Sequence, residues 1–546
     1  MSTRDNKPTV GRREFLQTGV LGGIALVMHG TSDARASAHS APPPFELEEA
    51  TILQLQDMMK SGTTTARALT EHYLARIADI DKKGPAVNAV IETNPDALAI
   101  ANALDQERKA KGARGPLHGI PVLIKDNIDT ADKMKTTAGS LALVASKPAQ
   151  DSFVAARLRA AGAIILGKTN LSEWANFRSS RSSSGWSGRG GQTKNPYALD
   201  RNPCGSSSGS GAAASANLCA ASIGTETDGS IVCPSSSNGI VGIKPTVGLV
   251  SRSGIIPIAH SQDTAGPMAR TVTDAAILLG ALTGVDKNDD ATNTSTGKSF
   301  TDYTQFLDPN GLKGARIGVG RKFFGFNPGV DTIMNDAIDV MKKLGATIVD
   351  PADLPTHGQF RSSEFEVLLY EFKADLNAYL AKLNPEVPYR TLKQLIEFNE
   401  QNRDKEMPYF GQETFIRAEE KGPLTEKAYF EAVEKNHRLA GTEGIDAVMD
   451  EHKLDAIIGP TGGPAWLTDH VCGDHFGGGS SSAAAVAGYP NITLPAGFIF
   501  GMPVGISFFG KAWTEPKLIR ITYAFEQATK HRRAPKFLPT ADLRVM

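Results

Sequence analysis

The chain has 546 residues, 59 acidic against 58 basic side chains, a formal charge of −1 and 40% apolar residues. A near-neutral chain exerts no bulk pull on nucleic acid or on an anionic membrane, which excludes a strongly basic nucleic-acid binder. The apolar share, with 54 glycines beside it, is that of a globular protein and excludes wholesale disorder and a coiled coil.

The first forty residues read as an address. Arg12-Arg13 precede Phe15-Leu16 and an apolar run over 20–28, about half of the ~20 residues that a transmembrane helix needs. Ala36-Ser37-Ala38 follows as a small-residue cleavage site. The pattern predicts a twin-arginine export signal over residues 1–38, a mature chain over 39–546, and a periplasmic or secreted location. Substrates of that route cross folded, so free cysteines need not pair.

Pro42-Pro43-Pro44 is a stiff lead-in. Helical spacing runs over 46–110, where Ser61-Gly62-Thr63 predicts the start of a helix over 66–78. Residues 121–124 and 163–166 are apolar strands that run into polar residues. Ser and Gly dominate 178–211, and apolar segments resume on both sides, which predicts a functional loop and not a linker. The polar stretch 287–299 reads as a surface excursion. A strand–helix–strand unit covers 315–320, 331–344 and 346–350. Helical patterns fill 361–441, strands follow at 455–461, 491–497 and 503–510, and a last helix covers 516–529. Alternating strands and helices make the class α/β, without internal repeats.

Three motif matches fail on context. Gly162 to Thr169 fits G-x-x-x-x-G-K-[ST], but a phosphate loop must be a flexible turn, and Ala163 to Leu166 are apolar and β-prone. Gly205-Ser206-Ser207-Ser208-Gly209 fits G-x-S-x-G, yet that elbow needs an apolar strand directly before it, and NPYALDRNPC cannot be one. His470, Cys472, Asp474 and His475 are metal-ligand types at no closed zinc spacing, and read as a polar loop lining a cleft. Cys204, Cys219, Cys233 and Cys472 form no C-x-x-C pair, which excludes a disulfide scaffold and a multi-cysteine zinc site. The first three are expected to be small packing residues, not ligands or a redox pair.

Three segments in fixed order carry a stronger signal: GIPVLIKDN around Lys125, CGSSSGSG around Ser206 and GTETDGSIVCPSS around Ser230. They resemble the amidase signature family, and the likeness continues through GKTNLSEWANF, GGQTKNPY and AAAVAGYPNITLPAG, over roughly residues 46–530. In detail the chain is most similar to bacterial peptide amidases, which release ammonia from C-terminally amidated peptides. The resemblance implies one amidase domain over 39–546, with a large twisted mixed β-sheet covered by helices on both sides. It implies a triad in which Ser230 attacks, Ser206 (on a cis peptide after Gly205) bridges, and Lys125 is the base. Backbone N–H groups of Thr227, Asp228, Gly229 and Ser230 would hold the oxyanion. Implied too are a small peptide amide as substrate, a monomer, no cofactor or metal, no nucleic acid and no membrane anchoring.

Amide hydrolysis needs an activated nucleophile and a proton for the leaving amine. Lys125 must therefore start neutral, although a free lysine titrates near ~10.4. Its place after Val122-Leu123-Ile124 suits lowering by burial, and Asp126 is expected to turn away into backbone hydrogen bonds. Ser207, Ser208 and Ser210 are expected to support the loop. Trp174, Phe177 and Trp186 are the candidates to line the peptide cleft, core packing being the alternative for each, with 470–484 as the opposite wall. Val232 stands where many members have Arg, which implies a less polar pocket wall. The rival readings are an exported aryl- or fatty-acylamide hydrolase, a cytosolic transamidase subunit, and an inactive binding protein. The export signal weighs against the second, and the intact triad against the third.

Overall fold

Strands of this chain are near-continuous apolar runs because both of their faces are covered. Pro121–Lys125, Ile164–Thr169, Ala221–Glu226 and Thr264–Ala269 are buried at every position. The computed structural model describes residues 45–544, so the export signal read over residues 1–38 lies outside the described residues. Eleven strands form one mixed sheet, in the order Val90–Thr93, Ile164–Thr169, Pro121–Lys125, Ala221–Glu226, Thr264–Ala269, Val241–Lys244, Asn491–Ile499, Met502–Phe509, Ala456–Pro460, Arg316–Val319 and Thr347–Val349. Pro121–Lys125 runs parallel to both neighbours. Ala221–Glu226 is antiparallel to Thr264–Ala269, with Ile223 opposite Pro267. This is the α/β fold with a large mixed sheet that the sequence implied.

Caps and periodicity account for most elements. The helix Pro328–Lys343 starts where the Asn327 side chain accepts from the N–H groups of Gly329 and Val330, satisfying donors that the first turn leaves open. It joins Arg316–Val319 to the parallel strand Thr347–Val349. The helices Arg361–Leu380, Leu392–Gln401 and Glu413–Glu419 share a hydrophobic cluster of their own, around Phe372, Leu376, Leu395 and Phe415. Among the described residues no helix is long and apolar enough to cross a membrane.

Two expectations are corrected and one is refined. Ser61-Gly62-Thr63 ends a helix instead of starting one: Ile52–Ser61 carries a capping box at Thr51, Gly62 closes it at φ 78°, and Thr65 caps the next helix, Ala66–Arg76. The polar stretch 287–299 lies at the surface, most of its residues exposed, and is anchored at three of them. Asp289 binds Arg252, Thr292 and Ser295 are buried, and a 3-10 turn covers Asp290–Ser295. Cys204 and Cys233 are also not unpaired; they form a disulfide, leaving Cys219 and Cys472 as free thiols.

Candidate active site

Three chain segments meet at the carboxyl end of Pro121–Lys125. Lys125 closes that strand with its side chain fully buried. Its Nζ donates to Ser206 Oγ at 2.9 Å and to Thr225 Oγ1 at 2.9 Å. Burial pushes its pKa down to about 7, against the pull of Asp263 and Glu226; the charged form loses its hydration there. Asp126 does turn away: its carboxylate accepts from the Gly139 N–H at 3.3 Å and from Thr137 Oγ1, and faces Arg189.

Ser206 follows a cis peptide bond at Gly205 and leads into the helix Ser208–Ser215. A Cβ at 205 would lie 2.1 Å from Ser172 Oγ, so any larger residue there would have to displace that hydroxyl. The Ser207 N–H donates to the Ser230 carbonyl at 3.2 Å, which ties the two serine segments together. Ser207 Oγ accepts from the Thr225 N–H and donates to the Thr225 carbonyl. Ser210 Oγ donates to the Ile223 carbonyl, and Ser208 Oγ lies 3.3 Å from Ser172 Oγ. These hydroxyls brace the loop. The disulfide spans the same loops, one cysteine just before Gly205 and the other three residues past Ser230, with Trp466 packed on it.

Ser230 sits in the turn between the strand Ala221–Glu226 and the helix Val232–Ser237. Glu226 shapes that turn: its buried carboxylate accepts from the N–H groups of Ile231 at 2.7 Å and Val232 at 3.0 Å. Among the described residues the N–H groups of Thr227, Asp228, Gly229 and Ser230 donate to no protein acceptor. Gly229 holds φ at 78°, the left-handed region that glycine enters without steric cost. Around the turn, Thr227 Oγ1 donates to Asp263 at 2.5 Å, and Ser481 and Ser482 each donate to Asp228 at 2.6 Å. Asp263 also accepts from the N–H groups of Ile258 and Ala259, and burial pushes its carboxyl up to about 6.

Above these groups lies a cleft of about 200 Å³ with Ser206, Thr225 and Thr227 in its floor and Ile255, Ile256 and Ile258 in one wall. Its mouth carries two ion pairs, Arg252 with Asp289 and His260 with Asp375. The three aromatic candidates are turned into the core instead. Trp174 meets Phe415 edge-on, Phe177 packs on Phe372, and Trp186 packs on Tyr409 and Phe410, each 7% exposed or less. From that segment only Ala175 reaches the cleft. Val232 is fully buried in its helix and lines no part of the cleft. The loop 470–484 reaches the site through Ser481 and Ser482, while Asp474 accepts from the N–H of Ser184 and from Trp466 Nε1. Sequence reasoning passed over Thr225, Glu226, Asp263 and Asn127, whose Nδ2 donates to Thr225 Oγ1. The first two lie inside the GTETDGS string, Asn127 inside GIPVLIKDN and Asp263 inside IAHSQDTAGPM, strings that mark the family without assigning these residues a role.

The Amidase family model matches residues 68–519. The solved structure of the native peptide amidase from Stenotrophomonas maltophilia is 51% identical, superposes with a TM-score of 0.86, and covers 90% of this chain and 100% of that one. A probable amidase of Arabidopsis thaliana is 44% identical over 94% of this chain and 96% of its own length. One glutamyl-tRNA(Gln) amidotransferase subunit of Thermoanaerobacter pseudethanolicus is 34% identical over 90% of this chain and 99% of its own.

Proposed function

The chain belongs to the amidase family and is a hydrolase of amide bonds, and we propose that it acts on the C-terminal carboxamides of peptides and releases ammonia. The observation that carries this reading is the buried Lys125, brought to about 7 and placed 2.9 Å from Ser206 beneath the open turn at Ser230. The likeness to a peptide amidase over 90% of the chain supports the substrate class.

In this reading neutral Lys125 takes the proton of Ser206, Ser206 takes the proton of Ser230, and Ser230 Oγ bonds to the carboxamide carbon. The oxyanion settles on the N–H groups of Thr227, Asp228 and Gly229, which are held ready and cost little reorganisation. When the tetrahedral adduct collapses, the C–N bond breaks and the proton returns through Ser206 to the leaving NH₂, giving ammonia and an acyl ester on Ser230. Water, deprotonated along the same path, cleaves the ester and leaves a peptide carboxylate. In the free enzyme Ser206 Oγ bonds Lys125, and no hydrogen bond joins it to Ser230 Oγ; that second link closes when substrate seats, as catalytic contacts commonly do.

Export belongs to the same proposal. The Arg12-Arg13 motif supports it, and so does a disulfide, which persists in oxidising compartments. Purified protein would be incubated with a peptide amide, an anilide and a fatty amide, and released ammonia or amine measured. Ammonia from the peptide amide, lost in Ser230→Ala with an unchanged melting curve, is the expected result. Preference for the anilide or the fatty amide overturns the substrate class, and retained activity in Ser230→Ala overturns the nucleophile.

A further inference from the structure

The loop after Trp466 carries five residues of metal-ligand type: Asp469, His470, Cys472, Asp474 and His475. The structure sorts them. Asp474 accepts from the Ser184 N–H at 2.9 Å, from Trp466 Nε1 at 3.1 Å and from Asn202 Nδ2 at 3.3 Å. His470 stacks on Tyr409 with ring centroids 4.0 Å apart. Those two are engaged elsewhere. The other three converge, at a spacing of D-x-x-C-x-x-H. One ligand atom from each of Asp469, Cys472 and His475 lies within 4.8 Å of the other two, and His475 Nε2 stands 3.8 Å from Asp469 Oδ2.

That separation suits a small ion. Around a tetrahedral metal with bonds of about 2.0–2.3 Å, ligand atoms stand about 3.3–3.8 Å apart, so the three need close by only about 1–1.5 Å. Asp469 is already oriented. Its Oδ1 accepts from the N–H groups of Val471 at 2.8 Å and Cys472 at 2.9 Å, while Oδ2 faces His475; ligating carboxylates are commonly fixed in this way. Cys472 is the exposed free thiol, Cys219 being buried and the other two cysteines bonded to each other. The charges beside Cys472 are Asp469 and Arg181, the first favouring a cation and the second a thiolate.

We propose that Asp469, Cys472 and His475 bind one divalent cation of the zinc class, with water completing the shell. Sulfur, imidazole and carboxylate together select such an ion over magnesium or calcium, which take oxygen ligands. On binding, the Cys472 S–H bond breaks, its proton passes to solvent, and the thiolate bonds the metal. The ion takes no part in the hydrolysis. It ties the loop into a closed ring between two points of attachment. One is Asp474, on the Trp466 that packs against the disulfide; the other is Ser481 and Ser482, which hold Asp228 beside Ser230.

The test uses the full protein, stripped by a chelator and kept free of oxygen, with zinc chloride as the probe. A chromogenic disulfide reagent should find one reactive thiol in the folded protein and none after one equivalent of zinc, and chelator should restore it. Cobalt(II) in place of zinc should give a sulfur-to-cobalt charge-transfer band that Cys472→Ser lacks. In equilibrium dialysis the zinc affinity should fall about tenfold or more in His475→Ala and in Asp469→Asn. It should not change in His260→Ala, which removes a ligand from the other such cluster, His260 with Glu371 and Asp375. These side chains of the loop are largely at the surface, and unchanged melting curves of the metal-free variants confirm their fold. A thiol that stays reactive with one equivalent of zinc overturns the site. So does an affinity that falls in His260→Ala and holds in His475→Ala.

Discussion

In the proposed mechanism Lys125 sets the pH behaviour of the site. It accepts a proton only when neutral, and burial brings it to about 7. The sign follows directly: below about 7 the lysine is an ammonium and the relay has no acceptor, and above it the neutral form dominates. The profile of kcat/KM should climb about tenfold per pH unit on the acid side and level off above about 7. Asp263 and Glu226 act against burial, since each stabilises the ammonium. Asp263→Asn should therefore lower the lysine pKa further and move the acid limb to lower pH by about one unit. The effect is felt because Asp263 is itself a carboxylate above about 6. An acid limb that stays in place in Asp263→Asn would show that another group sets it. Glu226→Gln is the less clean probe, because the same carboxylate also fixes the N–H groups of Ile231 and Val232.

At the scale of elements, the two serine segments are held together in three ways: the Ser207 N–H on the Ser230 carbonyl, the side chain of Ser207 on Thr225, and the disulfide. The disulfide closes a separation of 29 residues, for which loop-closure entropy gives about 3.6 kcal/mol. Cys204→Ser/Cys233→Ser should lose about that much stability in a denaturant titration, and kcat should fall as the serine loops drift apart. The native protein should resist mild reductant, with both cysteines under Trp466 and less than a tenth exposed. Full activity and stability in the double variant would make the bond ornamental. This pairing was not legible in the sequence, because no spacing rule relates residues that meet only after the strand Ala221–Glu226 has returned the chain. Strands and helices were legible where a period or a cap wrote them: Pro121–Lys125, Ile164–Thr169 and Pro328–Lys343 stand where the apolar pattern put them. Lys125, Ser206 and Ser230 were legible because their strings are local. Trp174, Phe177 and Trp186 were misplaced because an aromatic near a site looks the same in sequence whether it faces the cleft or the cluster around Phe372 and Phe415. Residues 287–299 are at the surface, as their polarity implied. What sequence did not show is their anchoring at the mouth of the cleft, where Asp289 pairs with Arg252 and Asp286 just before them binds Ser251 and Ser253.

At the scale of the whole molecule, one arginine links the first and last segments of the described residues to the helices that carry the site. Arg532 lies past the last helix, Glu515–Thr529. Its guanidinium pairs with Glu49 at 2.9 Å, and it donates to Tyr197 Oη at 2.7 Å, to the Ser215 carbonyl at 2.8 Å and to the Gly239 carbonyl at 3.1 Å. Ser215 ends the helix that begins beside Ser206, and Gly239 follows the helix that begins beside Ser230. A planar fork with five donors can serve so many acceptors at once, and an ammonium cannot. Arg532→Met should therefore destabilise the protein by about 2 kcal/mol, below the usual loss for a fully buried pair because Glu49 keeps about a third of its surface in water. Arg532→Lys should recover only part of the loss. The pH dependence separates the ion pair from the rest of the network. Burial works to raise the Glu49 pKa, but Arg532 prevails and holds it below the ordinary value. A carboxyl depressed in the folded state contributes stability above its unfolded pKa and loses it as the pH falls through the folded one. The gap in melting temperature between wild type and Arg532→Met should thus be widest near neutral pH and narrow below about 4. A gap that holds constant into acid would assign the whole effect to the carbonyl contacts, and equal melting temperatures at pH 7 would remove Arg532 from the account of how these two segments support the site.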